Sequence, residues 1–223
     1  MMRESTEQIK VWDPLVRIFH WTLLASFSIA YLSSESSGDL HILSGYAVAG
    51  LIAFRLVWGL IGSRHARFTD FVRGPGQVKA YLKDIINGRP KRYLGHNPAG
   101  GAMIVAMLFM LVLISYTGLK VYGLEGHGPL AVAEGAASAP LLPEIKSAQA
   151  QALAADQEDD DDHEGRESEE EEFWEEVHEI VSNLMLGLIA LHVLGVIVSS
   201  RLHRENLVLA MVTGKKPREH HDD

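Results

Sequence analysis

The sequence predicts an all-α integral membrane protein, a bundle of four transmembrane helices with both termini cytoplasmic. Two observations carry that expectation. The apolar residues of the 223-residue chain gather in four blocks, each close to the roughly 20 residues that a helix needs to cross a bilayer. The segments between the blocks alternate between basic and acidic, which orients the helices. Mean hydropathy is only +0.05, because the charged connections offset the apolar blocks.

The first block, Leu15 to Leu32, is the weakest, since Arg17 and His20 interrupt its start. A secretory signal peptide is the competing reading, with Lys10 and Arg17 as its basic region, but no small-x-small cleavage site follows and a retained helix is expected. The second and third blocks run from Ile42 to Gly62 and from Ala99 to Gly123, and the fourth from Val177 to Ser199. Residues 1–122 are thus expected to hold three helices with a basic cytoplasmic loop at 63–95. Residues 123–172 would form an acidic, largely disordered periplasmic loop, 173–200 the fourth helix and 201–223 a cytoplasmic tail.

Orientation follows from Lys and Arg. The 63–95 segment carries Arg64, Arg67, Arg73, Lys79, Lys83, Arg89, Lys91 and Arg92 against Asp70 and Asp84, and the tail adds Arg201, Arg204, Lys215, Lys216 and Arg218. The loop from Ser33 to Leu40 has neither Lys nor Arg. The positive-inside rule then puts both termini in the cytoplasm of a bacterial inner-membrane protein. Inside the basic loop, "GQVKAYLKDIING" spaces Val78, Tyr81, Leu82, Ile85 and Ile86 as one helical face. Either a helix lying on the membrane surface or a docked loop helix fits that pattern.

The outer segment ends in "DQEDDDDHEGRESEEEE", with 12 Asp or Glu in 17 residues. Self-repulsion and the lack of apolar residues predict disorder. A solvated spacer, an electrostatic antenna for a cationic partner and loose calcium binding are the three readings; the last lacks EF-hand spacing.

Of eleven histidines, His20, His41, His178 and His192 fall within or at the ends of the apolar blocks. Ionisable side chains in a bilayer are costly, so each is a candidate functional residue. His178 and His192 are 14 residues apart, which is about 21 Å of helical rise and returns to within about 40° of the same face. Alternating helix direction places His20 at the depth of His192, and His41 at the depth of His178. Two imidazole pairs result. Zinc wants at least three protein ligands, and only Glu179 or Glu175, near the His41–His178 pair, offers a third, whereas a haem iron needs only two axial ones. Glycines near the histidines, Gly45, Gly187 and Gly195, leave room for flat rings, although small residues also serve close helix packing. Arg17, one turn from His20, and Arg55, 14 residues after His41, are candidates to hold haem propionates at the inner pair; snorkelling to the surface is the alternative for Arg55. The other seven histidines are expected to be ordinary and exposed, with His203 the one to test for quinone or proton handling. The absence of cysteine leaves neither disulfides, iron–sulfur ligation nor covalent haem attachment. No catalytic residue and no nucleic-acid site is assigned.

The stretches "VWDPLVRIFHW", "LHILSGY…FRLVWGLIGSRHARF", "GHNPAGGAM" and "LHVLGVIVSSRLHRENLVLAMVTGKK" resemble the prokaryotic dihaem membrane cytochrome b family, which includes the cytochrome b subunit of nickel–iron hydrogenases. The resemblance covers all four helices and the inner segments. It implies two non-covalent b haems ligated by His20, His41, His178 and His192, passing electrons between quinone and a redox partner in the respiratory chain. The long acidic outer segment departs from shorter members and favours a basic, periplasmic cytochrome c over a hydrogenase as partner. Two rivals stand beside this. One is a superoxide-to-quinone oxidoreductase of the same fold, which would call for a cationic outer pocket. The other is a non-redox metal transporter, for which the third helix offers only Ser115 and Thr117 as further ligands.

Overall fold

The computed structural model describes residues 8–34, 38–131 and 161–217, with side chains in the last stretch from Glu169 onward. The readings made for residues 132–160, and for His163, His220 and His221, lie outside the described residues. Among the described residues nine helices and strands follow one another: β1 (Gln8–Lys10), α1 (Pro14–Leu32), α2 (Asp39–Ile61), α3 (Phe68–Phe71), α4 (Pro75–Ile86), α5 (Pro98–Leu124), α6 (Asp161–Leu202), α7 (Leu207–Thr213) and β2 (Lys215–Pro217), with a 3-10 turn at Arg64–Ala66 between α2 and α3. Helices α1, α2, α5 and the 34 residues of α6 from Glu169 are long and apolar enough to cross a membrane.

Local chemistry sets the helix starts. Asp13 accepts from the Val16 N–H at 2.9 Å just ahead of Pro14, and Asn97 accepts from the Gly100 N–H at 2.7 Å just ahead of Pro98. Each is a side-chain cap followed by a proline that gives up no useful donor. Asn206 caps α7 in the same way through the Leu209 N–H at 2.8 Å.

Helix α6 departs from expectation. It begins at Asp161, so residues 161–172, assigned by composition to a disordered loop, are helical. Glu is a good helix former, and acids at a helix N-terminus face the positive end of the macrodipole. Together these outweigh the self-repulsion that favoured a coil.

The chain divides into two compact units, each containing a stretch of all four long helices. The first comprises residues 1–25, 50–110 and 185–223, and the second 26–49 and 111–184. In the first, the long helices are joined by a cap that the sequence did not announce. The segment expected as a tail folds into α7 and β2, and β2 pairs antiparallel with β1, Ile9 opposite Lys216. Gly214, at φ 79°, ends α7, and its carbonyl accepts from the N–H groups of Val11 and Trp12 at 2.8 and 3.1 Å. Val11, Trp12 and Ala210 form a buried cluster. Beside them Glu205 pairs with Arg92 and, at 3.5 Å, with Lys216. Phe71 is wholly buried, with Gly101 so close that a side chain there would strike the Phe71 carbonyl.

In the second unit, Val48, Leu111, Thr117 and Tyr122 are buried. Its loop after α5 turns through Gly126 and Gly128, both in the left-handed region.

Candidate haem sites

In the second unit, α2 carries His41 and α6 carries His178, and their rings lie 6.1 Å apart centre to centre. Each ring is oriented through Nδ1. His41 Nδ1 donates to the Ala30 carbonyl at 2.8 Å. His178 Nδ1 lies 2.8 Å from Thr117 Oγ1. The Thr117 hydroxyl donates its own proton to the Ile114 carbonyl, so the imidazole is the donor to Thr117, and His178 also bonds the Ile114 backbone. With both Nδ1 atoms protonated, both Nε2 atoms keep a lone pair. A second hydrogen bond that fixes the tautomer in this way is the usual companion of a metal-bound histidine.

Two imidazoles binding opposite sides of one metal ion at about 2 Å hold their ring centres roughly 6 Å apart, in agreement with the distance found. The two rings line a cavity of about 720 Å³ together with Gly45, Tyr46, Ser115 and Gly118, a size in the range of cofactor pockets. A side chain at Gly45 would meet nothing within 4 Å, so the space beside His41 is open. At Gly118 the reverse holds, because a Cβ there would sit 3.1 Å from His178 Cε1. Two buried hydroxyls of the lining, Tyr46 and Ser115, have no hydrogen-bond partner among the described residues, which suits a bound group with oxygen acceptors. The residues present therefore fit a haem. Among the described residues no three His, Asp or Glu side chains gather, so the donor set is that of a two-ligand centre.

In the first unit, His20 of α1 and His192 of α6 lie within electrostatic reach of one another. His20 Nδ1 is sealed from solvent without a partner among the described residues, in contrast to the anchored rings of the second unit. A Cβ at Gly195, one turn from His192, would meet open space, and so would one at Gly187 on the same helix. Arg17 rests against the α7–β2 turn, where a Cβ on Gly214 would strike its Nη1, and its Nε is sealed without a partner. Arg55 is 3 % exposed, with its guanidinium 5.1 and 5.8 Å from the Phe68 and Phe71 ring centres, and its Nη1 has no hydrogen-bond partner among the described residues. Asp13 lies within electrostatic reach of Arg55, while its carboxylate accepts from Ser63, Trp58 and the Val16 N–H. Burial works to raise the Asp13 carboxyl, but those hydrogen bonds outweigh it and hold it below the usual range. Donors without acceptors suit an anionic group such as a propionate.

The expectation of seven ordinary exposed histidines is corrected here. His96 packs in tilted contact against Trp12 at 4.5 Å and Phe71 at 4.8 Å between ring centres, and its Nδ1 is sealed without a partner among the described residues. Burial first, then the charges of Arg55, Lys216 and His65, push it down to about 3, with Asp70 acting the other way. His65 bonds Asp70 at 3.0 Å, and His127 stacks on Tyr122 at 5.3 Å. His203 is half-buried just past the end of α6. Sequence reasoning also passed over Tyr46 and treated Ser115 and Thr117 only as missing metal ligands. Their signal was weak: a lone hydroxyl in an apolar helix reads equally well as a bond to its own backbone.

Comparison with known proteins gives the family. The family model described as prokaryotic cytochrome b561 matches residues 11–214. A protein named as a probable Ni/Fe-hydrogenase B-type cytochrome subunit, from Azotobacter vinelandii, is 34% identical over 150 residues, covering 54% of this chain and 61% of the relative. Proteins of the same name from Rhizobium leguminosarum bv. viciae and from Cupriavidus necator are 26% and 24% identical, covering 55% and 54% of this chain and 62% and 61% of theirs. The chain thus matches about three fifths of the length of these curated relatives. No solved structure matches it.

Proposed function

The chain belongs to the prokaryotic cytochrome b561 family, and from that premise we propose that it is a membrane dihaem cytochrome b carrying electrons between a periplasmic redox protein and the quinone pool. Haem b supplies a one-electron iron couple. His41 and His178 would hold one haem, His20 and His192 the other. Thr117 and the Ala30 carbonyl orient the outer ligands, and Arg17 and Arg55 offer charge to inner propionates, with Gly45 and Gly195 leaving room. With two imidazoles to hold each haem iron, the site would favour electron transfer over oxygen binding.

The observation that supports this best is the His41–His178 pair, 6.1 Å apart with both Nδ1 atoms engaged. The charge distribution supports an inner-membrane location with both termini inside. The acidic helix N-terminus favours a cationic soluble partner such as a cytochrome c. A hydrogenase is the second reading for the partner, because the relatives carry that name. The test is haem quantification on the purified protein. Two b haems per chain are expected, falling to one in His41→Ala or His178→Ala. One haem in the wild type, or two surviving in either variant, overturns the dihaem assignment.

A further inference from the structure

Helix α4 uses only part of its apolar surface for packing. Tyr81 is buried and Val78 and Ile85 are half-buried, yet Leu82 is 47 % and Ile86 84 % exposed. At about 100° per residue, the helix divides into arcs. Tyr81, Ile85 and Val78 occupy one arc of roughly 60°, and Leu82 and Ile86 stand next to it. Lys79 and Lys83 come next, and Ala80, Asp84 and Gln77 fill the far side. The exposed apolar residues therefore lie between the docked face and a pair of lysines, with the acid turned away. Neither lysine has an ion-pair partner among the described residues. Arg89, one turn beyond the helix, extends the same basic character, and Val72, just before it, is also exposed.

A helix ordered in this way meets a bilayer at its interface. Leucine and isoleucine enter the acyl boundary while lysines reach back to the headgroups. The helix lies in the connection between two spans, α2 ending at Ile61 and α5 beginning at Pro98, so a membrane surface is close at hand. Its positive charge selects the sign of the lipid. We propose that α4 is an anionic-phospholipid-binding helix, with Leu82 and Ile86 seated in the headgroup layer and Lys79 and Lys83 on lipid phosphates. The two sequence readings thereby become parts of one geometry, a docked face and a lipid face on adjacent arcs. This stands on the helix and the spans, and is independent of the haem assignment.

The absence of cysteine makes single-cysteine reporters available. Full-length Ile86→Cys carrying an environment-sensitive fluorophore would be placed in nanodiscs of phosphatidylcholine, with or without phosphatidylglycerol, containing headgroup-region nitroxide lipid. Leu82→Cys is a second reporter should the first fail to fold, and Asp84→Cys is the solvent-side control. The expected result is quenching at Ile86 but not at Asp84, stronger with phosphatidylglycerol. Adding Lys79→Glu and Lys83→Glu should weaken the segment's partition into the anionic surface by roughly tenfold or more. Equal quenching at the two positions overturns the lipid contact, as would be found if the lysines served a protein partner instead. Quenching indifferent to phosphatidylglycerol and to the lysines overturns the choice of anionic lipid.

Discussion

Under the proposed haem ligation, Thr117 would hold a ligand in place without touching the haem. It accepts from His178 Nδ1 and so fixes which nitrogen faces the cavity. Thr117→Val keeps the volume and loses the acceptor, and removing such a partner weakens metal affinity by about 10 to 100-fold. Haem loss measured on dilution into apomyoglobin should accelerate accordingly, at one haem only; an unchanged rate at both would remove Thr117 from this role. His96 makes a different kind of prediction. Its folded value of about 3 lies below the ordinary value near 6.5, so between those limits the unfolded chain binds more protons and stability rises with pH. The contribution is complete above about pH 6.5 and is lost as pH falls toward 3, by at most about 1.4 kcal/mol per unit. The thermal midpoint should therefore drop between pH 7 and pH 5, and His96→Gln should flatten that slope. Identical slopes would show that His96 is not the titrating group. Nothing in "GHNPAGGAM" distinguishes a buried histidine from an exposed one, because its burial depends on Trp12 and Phe71, distant in sequence.

Among the elements, the four apolar helices were legible, since membrane length acts within one segment. The start of α6 was not legible, because charge repulsion and helix propensity oppose each other in "ESEEEEFWEE" and composition alone does not say which wins. The helix carries Glu169 to Glu172, Glu175 and Glu176, and their influence reaches α5. Burial first, then Glu171, raise the Glu125 carboxyl, with Glu175 adding to the rise. Lys120, 3.9 Å from Glu170, offers a modest counter-charge. An acidic surface on a rigid helix keeps a fixed orientation, as a coil would not. If it attracts a cationic cytochrome c, replacing these six glutamates with Gln should slow the association phase by about tenfold or more at low salt, and the difference should vanish at high salt. Stopped-flow reduction at several ionic strengths measures this, and a salt-independent rate in the wild type would remove the antenna.

At the level of the whole molecule, the surroundings of the second unit's histidines were easier to anticipate than those of the first unit. His41 and His178 need only their own helices with α1 and α5, whereas the surroundings of Arg17, Arg55 and His96 include residues far apart along the chain. That part of the fold was invisible because β1 and β2 are three residues each, too short for an alternating pattern, and one of them sat within an expected tail. Their pairing also fixes an order of assembly. Gln8 to Lys10 are made before any of the long helices, but their partners, Lys215 to Pro217, only after every one of them has been synthesised. Glu205, which takes up the buried charge of Arg92 and Lys216, also follows α6. Domains form as units during synthesis, N-terminal parts first, and here the first unit must wait for its second strand. Until that strand is made, Arg17 has no Gly214 to rest on.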